Sequence, residues 1–235
     1  MTDKFTSRFF RQSDARTEKL VFPLPPYWWS RFYEYEWARR FCAPDDVVLD
    51  AGCGICHPFK FYLSDVCREV HACDIDPRIL SAEEILKDIA RDFGEEVSKR
   101  FPVKYFRQVF YCRASLTALP YPDRTFDKIY CISVLEHLPP AALFLSLQEF
   151  KRTLKDEGLI VLTFDYPLVN LEYLAKVFAD VGLVFAGKVL FEMPENALYS
   201  EIDRLSCFRA VLRKAVNHRQ RREDPDHHRK SLGFK

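Results

Sequence analysis

The chain has 235 residues, 48% of them apolar and 29% charged, which suits one sizeable domain with additions at its ends and excludes a disordered, collagen-like or fibrous protein. Its 35 Lys and Arg against 34 Asp and Glu give a net charge of +1, so the whole carries no electrostatic footprint for a polyanion. The charge is uneven, because Arg213 to Lys235 holds eight basic residues and three acidic ones and leaves a mildly acidic body.

No apolar run approaches the ~18 residues of a membrane span, and Met1 to Leu20 lacks the apolar centre of a signal peptide, so a cytoplasmic protein without a membrane partner is expected. Eight cysteines could suggest a disulfide scaffold. Cys73 and Cys131, however, lie in apolar strand-like runs, and a chain of this length builds a core without staples; free thiols are expected.

Residues 1–26 are polar and then proline-rich, and read as an N-terminal arm. The aromatic run Tyr27 to Phe41 predicts a helix that Ser30 can cap and that ends near Cys42. Val47-Val48-Leu49-Asp50 reads as a strand, followed by a turn at Ala51-Gly52-Cys53-Gly54. A helix over about 58–67, a strand over 69–74, a long helix over about 79–98 and a strand near 103–106 come next. Phe126 to Ile132 reads as a buried strand, then a helix from about 141 to 154 and a strand over 158–164.

A helix over 169–181 leads to Leu183–Phe191 and, past a loop, to Ser206–Leu212. With no helix between them, the last two strands are expected to pair antiparallel. Alternating strands and helices imply parallel pairing through helical crossovers. The expected fold is therefore α/β: a Rossmann-like, doubly wound, seven-stranded sheet, mostly parallel with an antiparallel last strand, plus the N-terminal aromatic helix. The domain is expected over 27–213, with a basic flexible tail over 214–235.

In an open α/β sheet, ligands bind beyond the carboxyl ends of the strands at the topological switch point. Asp50-Ala51-Gly52-Cys53-Gly54 follows the first such strand, and its glycines permit close backbone approach. Asp74 ends the second strand 20 residues beyond Gly54, the spacing at which an acid accepts from a ribose diol. Together they point to a nucleoside cofactor. The dinucleotide fingerprint does not fit, because His57 stands where its third glycine belongs and an acid precedes the turn, where it would repel a pyrophosphate.

The sequence resembles instead the class I S-adenosylmethionine-dependent methyltransferases, with a type 11-like methyltransferase domain. Their first motif is a strand ending in an acid followed by Gly-x-Gly. The match continues through Ala118-Leu119-Pro120-Tyr121-Pro122-Asp123 to Phe126-Asp127-Lys128-Ile129, and then Val134-Leu135-Glu136-His137-Leu138. The resemblance spans about 30–213. It implies that Asp50, Gly52, Cys53 and Gly54 hold the methionine portion of S-adenosylmethionine, Asp74 the ribose hydroxyls and Ile75 one face of the adenine. Ser115, with Leu116 beside it, occupies the position where family members usually carry an acid for the adenine amino group.

On the acceptor side, His137 and Glu136 open the segment after the fourth core strand, and Asp165 with Tyr166 ends the fifth. His137 is a candidate general base, Glu136 and Asp165 candidate substrate contacts; a plain helix start is the alternative for Glu136-His137. Aromatic residues 27–37 either cover the core or meet the sulfonium by cation–π contact. Cys53-Gly54-Ile55-Cys56-His57 matches the haem-attachment pattern formally. It overlaps the cofactor turn, no second C-x-x-C exists, and Ser133 replaces the acid that a Glu-x-x-Glu-His metal site needs, so no metal is expected.

The expected activity is methyl transfer to a small organic molecule. Two rivals are a nucleic-acid (RNA) methyltransferase using the basic tail and a noncatalytic partner subunit with the same fold. The acidic body speaks against the first, the intact Asp50, glycines and Asp74 against the second.

Overall fold

The computed structural model describes residues 4–215. In chain order the elements are β1 (Arg8–Phe9), α1 (Arg31–Ala38) with a 3-10 turn over Arg39–Phe41, β2 (Val47–Ala51), α2 (Phe59–Val66) and β3 (Glu69–Asp74). Then follow a 3-10 turn at Pro77–Leu80, α3 (Ala82–Phe93), α4 (Glu95–Lys99), α5 (Tyr105–Gln108), β4 (Val109–Arg113) and β5 (Phe126–Ile132). A 3-10 turn at Leu135–His137 leads to α6 (Pro140–Thr153), β6 (Leu154–Tyr166), α7 (Leu171–Val181), β7 (Leu183–Phe185), β8 (Tyr199–Ser200) and β9 (Leu205–Lys214).

The strand order is β1-β9-β6-β5-β2-β3-β4, with β7 and β8 also pairing β9. β2, β3, β4, β5 and β6 are parallel, and β9 runs antiparallel to β6 with Val161 opposite Val211. The sheet is thus the mixed, mostly parallel Rossmann-like one expected. Successive residues of the central strands face opposite layers, as the two-residue period of a strand requires. Val48, Tyr130, Val161 and Val211 pack with α1, α2 and α3, whereas Leu49, Ile129, Leu162 and Ala210 pack with α6 and α7. From β2 the chain builds outward to β3 and β4 and then returns to β5 on its other side, which makes the carboxyl ends of β2 and β5 the switch point.

Four local expectations differ from the structure. The strand near 103–106 is the short helix α5; Val103 is exposed, and the edge strand lies just beyond, at β4, where Val109 joins the core. The helix over 79–98 breaks at Gly94 into α3 and α4. The strand over Leu183–Phe191 stops at Phe185, because β1 takes the next stretch of the β9 edge, with Arg8 opposite Arg209 and Phe9 opposite Phe208. Residues 4–26 accordingly do not project: Phe9, Phe10, Phe22 and Leu24 are buried against the body.

All eight cysteines are free. Among the described residues, no helix is long and apolar enough to cross a membrane. The expected tail falls almost wholly outside the described residues.

Candidate active site

β2 delivers Asp50 to the switch point with only 3% of its surface exposed. Burial pushes its carboxyl up to about 7, the nearby Asp74 adds to the rise, and Lys60 opposes it. The chain then turns through Gly52 and Gly54, both at positive φ (66° and 60°). A Cβ would lie 2.8 Å from Val134 at Gly52 and 2.5 Å from the His57 ring at Gly54, so conformation and space both demand glycine. Asp74 orders this turn: one carboxylate oxygen accepts from the Gly54 N–H (2.9 Å), the other from the Asp76 N–H (3.0 Å).

Sequence reasoning missed the group that shapes the turn from beneath. Lys60, on the first turn of α2, is fully buried, and its ammonium donates to the carbonyls of Cys53 (3.2 Å), Gly54 (2.8 Å) and His57 (2.8 Å). Three charge-assisted bonds fix the loop where a third glycine is absent. Cys56, just before His57, is buried and donates to Asp92 (3.1 Å). A lysine one turn after a glycine loop was the available signal, but in sequence it looks like any solvated helix residue.

Three cavities adjoin along the strand ends. The first, of about 440 Å³, is largely apolar and is lined by Gly52, Asp74, Ile75, Ser115, Leu116 and Val134 among others. Ile75 is 68% exposed, an apolar side chain offered to a flat ligand face. The Ser115 hydroxyl bonds Thr117 (2.8 Å) on the same wall. The second, of about 90 Å³, is lined by Asp50, Gly52, Cys53, Gly54, His57, Arg31 and their neighbours. The third, of about 340 Å³, lies beneath Tyr27, Trp28 and Trp29 and is walled by Arg31, His57, Asp165 and Asp203. Gly52 and Val134 join the first to the second, and Arg31 and His57 join the second to the third. All eight residues expected to hold the cofactor thus line the first two cavities.

The aromatic wall is held by a buried ion pair. Glu34 of α1 is fully buried; it pairs with Arg31 and accepts from Ser30 (2.9 Å), Ser133 (2.7 Å) and Thr163, which ties α1 to the ends of β5 and β6. Burial alone would raise the Glu34 carboxyl, but Arg31, Thr163 and Ser133 hold it below the usual range. Ser133 sits in the left-handed region (φ 48°), a conformation that this network stabilises. His57 stacks on Trp28 (4.3 Å between ring centres) and bonds the Tyr35 hydroxyl through Nδ1 (2.7 Å). Burial and the cations Arg31 and Lys60 keep its imidazole neutral. Burial keeps the Tyr35 phenol protonated, so that hydroxyl is best placed as donor to Nδ1, which leaves His57 Nε2–H as a donor to the cavities.

On the acceptor side, Glu136, His137 and Asp165 offer ligand atoms within 4.8 Å of one another. Asp165 lines the third cavity; Glu136 stands behind it, accepting the Asp165 N–H (2.8 Å), and His137 is exposed at the rim. Glu136 Oε2 and Asp165 Oδ1 are both buried without a hydrogen-bond partner among the described residues. Burial raises the two carboxyls, Glu136 to about 8 and Asp165 to about 6, and each has a further carboxylate nearby.

The sequence that builds this geometry, an acid and two glycines at a switch point, a second acid one strand over and an apolar slot beyond, matches a family model described as a methyltransferase domain over residues 49–162. The chain carries a methyltransferase domain. The family implies S-adenosylmethionine as methyl donor. A probable methyltransferase of Aspergillus luteorubrus is 31% identical over 119 residues, covering 49% of this chain and 38% of that one. The chain spans from about a third to just over half the length of the curated relatives it matches.

Among solved structures, a TehB-like S-adenosylmethionine-dependent methyltransferase from Corynebacterium glutamicum shares the fold with a TM-score of 0.54 and 18% identity, over 77% of this chain and 86% of that one. The cyclase SpnF shares it with a TM-score of 0.60 and 14% identity, over 89% and 87%. A fold shared with a cyclase does not fix the reaction, so the methyltransferase domain's chemistry has to be argued from its own site.

Proposed function

We propose that the protein transfers a methyl group from S-adenosylmethionine to a small organic molecule. The observation that carries this reading is the continuity of the three cavities: a donor with its adenosine in the apolar slot and its methionine at Asp50 and the glycine turn would present its sulfonium toward the cavity beneath Trp28 and Trp29. That third cavity is small and half roofed by aromatic rings, which suits a compact acceptor better than a nucleic-acid strand. Methyl transfer is an in-line displacement, so holding both reactants in line supplies much of the rate. The aromatic faces favour the cationic sulfonium.

In this reading Asp165 accepts a proton from the acceptor and Glu136 keeps one. With carboxyls near 6 and 8, the pair at pH 7 consists mainly of an ionised Asp165 and a protonated Glu136. At saturating S-adenosylmethionine, the pH profile of kcat/KM for the acceptor is therefore expected to rise through about 6 and fall above about 8. Asp165→Asn should lower kcat by ~10²-fold or more and remove the acidic limb; an unchanged profile would clear Asp165 of the role.

The proposal is tested by calorimetry with S-adenosylhomocysteine and by methyl transfer to a panel of small hydroxylated and amine-bearing compounds. No binding of the product nucleoside would refute it. Asp74→Ala removes the diol acceptor and one support of the Gly54 turn, and should cost ~1.5–3 kcal/mol of binding. Wild-type affinity in that variant would remove Asp74 from the ribose site.

A further inference from the structure

Away from the methyl-transfer site, a further cavity of about 300 Å³ lies at the outer edge of the sheet, between the N-terminal segment and the end of α1. Its lining includes Lys4, Arg8, Arg11, Arg40 and Arg209, against a single carboxylate, Asp14. We propose that this cavity binds the phosphate group of a small phosphorylated molecule.

Arg209 forms the floor. It is 5% exposed, its guanidinium lies between the rings of Phe10 (5.3 Å) and Trp37 (5.2 Å), and its Nε–H donates to the Thr6 carbonyl (3.3 Å). Its two terminal nitrogens have no hydrogen-bond partner among the described residues. Asp14 offsets its charge only in part, because that carboxylate is spent on a two-pronged pair with Arg8 (2.8 and 2.7 Å) and on the Arg11 N–H (2.9 Å).

Arg11 adds a buried Nε–H that also lacks a partner. At the rim, the Lys4 ammonium donates to the Arg40 carbonyl (3.3 Å) and lies over the Phe5 and Phe41 rings (5.3 Å each), and Arg40 reaches Glu36 at 3.4 Å, its one acidic contact among the described residues. Burial and the cations Arg8, Arg40 and Arg11 push the Arg209 guanidinium down to about 9 against the opposing pull of Asp14. A buried cation among cations costs stability unless an anion meets it. Arginine donors converging from the floor, the N-terminal loop and the rim suit a tetrahedral dianion, which accepts along several directions, better than a planar carboxylate, which one guanidinium fork would satisfy. The volume exceeds that of a bare phosphate and leaves room for a small ester.

The test uses inorganic phosphate as probe on the full chain, by calorimetry and thermal denaturation, with chloride at matched ionic strength as control. Phosphate should bind saturably and raise the melting temperature, and chloride should not. Arg11→Gln/Arg40→Gln should weaken phosphate at least ~10-fold while S-adenosylhomocysteine binds as in the wild type. Arg209→Met should abolish phosphate binding and, freed of an unmet charge, melt no lower than the wild type without phosphate. Should that variant not fold, the double variant decides. An equal effect of chloride, or full phosphate affinity in the double variant, overturns the site. A short single-stranded RNA that displaces phosphate more strongly than a nucleoside monophosphate does would overturn the small-molecule assignment.

Discussion

Asp50→Asn is expected to act in opposite directions on the fold and on the cofactor. Burial has raised this carboxyl to about 7, so the folded protein holds a proton there more firmly than the unfolded chain, whose value is near 3.8. The charge consequently costs nothing below the unfolded value, costs more as pH climbs toward 7, and exacts the full amount above it. The amide removes that cost. At pH 8 the unliganded variant should melt above the wild type, and at pH 4 the two should nearly coincide. A shift of this size, in which the opposing pull of the Lys60 ammonium is already included, corresponds to at most roughly 4 kcal/mol at pH 8.

Binding should move the other way. The donor is a cation at its sulfonium and its amino group, and the ionised Asp50 is the nearest buried countercharge at the glycine turn. Loss of one hydrogen bond to a charged group is worth ~1.5–3 kcal/mol, so Asp50→Asn should weaken the cofactor by ~10- to 150-fold at pH 8. In the wild type the same affinity should fall by up to ~10-fold per unit as pH drops below about 7. The variant should lose that dependence. Calorimetry of S-adenosylmethionine between pH 5.5 and 8.5, with melting curves alongside, checks all three statements. Unchanged affinity in Asp50→Asn would detach Asp50 from the methionine portion and leave the turn with a purely structural acid.

The second large effect is on stability. Glu34→Ala removes the countercharge of Arg31 from a fully buried place, together with the acceptor of Ser30, Ser133 and Thr163. Breaking one side of a buried pair costs ~3–5 kcal/mol, and for a domain of this size each kcal/mol lowers the melting temperature by roughly 2–4 °C. A drop of about 6–20 °C is therefore expected.

The carboxyl of Glu34 is held below its unfolded value near 4.5, so its contribution is complete above that value and fades only as pH falls through the depressed one. The measurement belongs at pH 7. Arg31→Met/Glu34→Leu should recover most of the loss, because no charge is then left unpaired. Its acceptor KM should still suffer, since Arg31 lines the second and third cavities. A Glu34→Ala protein as stable as the wild type would show that α1 is not clamped by this pair.

The parts of this protein whose reason is local can be read along the chain. Asp50, Gly52, Gly54 and Asp74 are legible because a close backbone turn admits only certain residues and because strand length sets the spacing between the two acids. The α/β alternation is legible because buried strands and amphipathic helices differ in period. Local pattern failed where it had no unique reading: Val103 to Phe106 carries the apolar density of a strand but folds as a turn running into α5, and Leu183–Phe191 stops at Phe185 because β1, from the far end of the chain, pairs the next stretch of β9 with Phe9 opposite Phe208.

The surroundings of Lys60, Glu34, His57 and Arg209 follow from the folded packing alone. Each is a polar residue on a helix, turn or strand that a sequence assigns by default to solvent. Long-range packing buried them instead, and a buried charge must find partners. Lys60 found three loop carbonyls and Glu34 found Arg31 with two strand hydroxyls. His57 met Tyr35 and Trp28, whereas Arg209 lies between two rings with its terminal nitrogens turned to a cavity of cations. Which charges are removed from water depends on contacts between segments tens to hundreds of residues apart, and no local pattern encodes that.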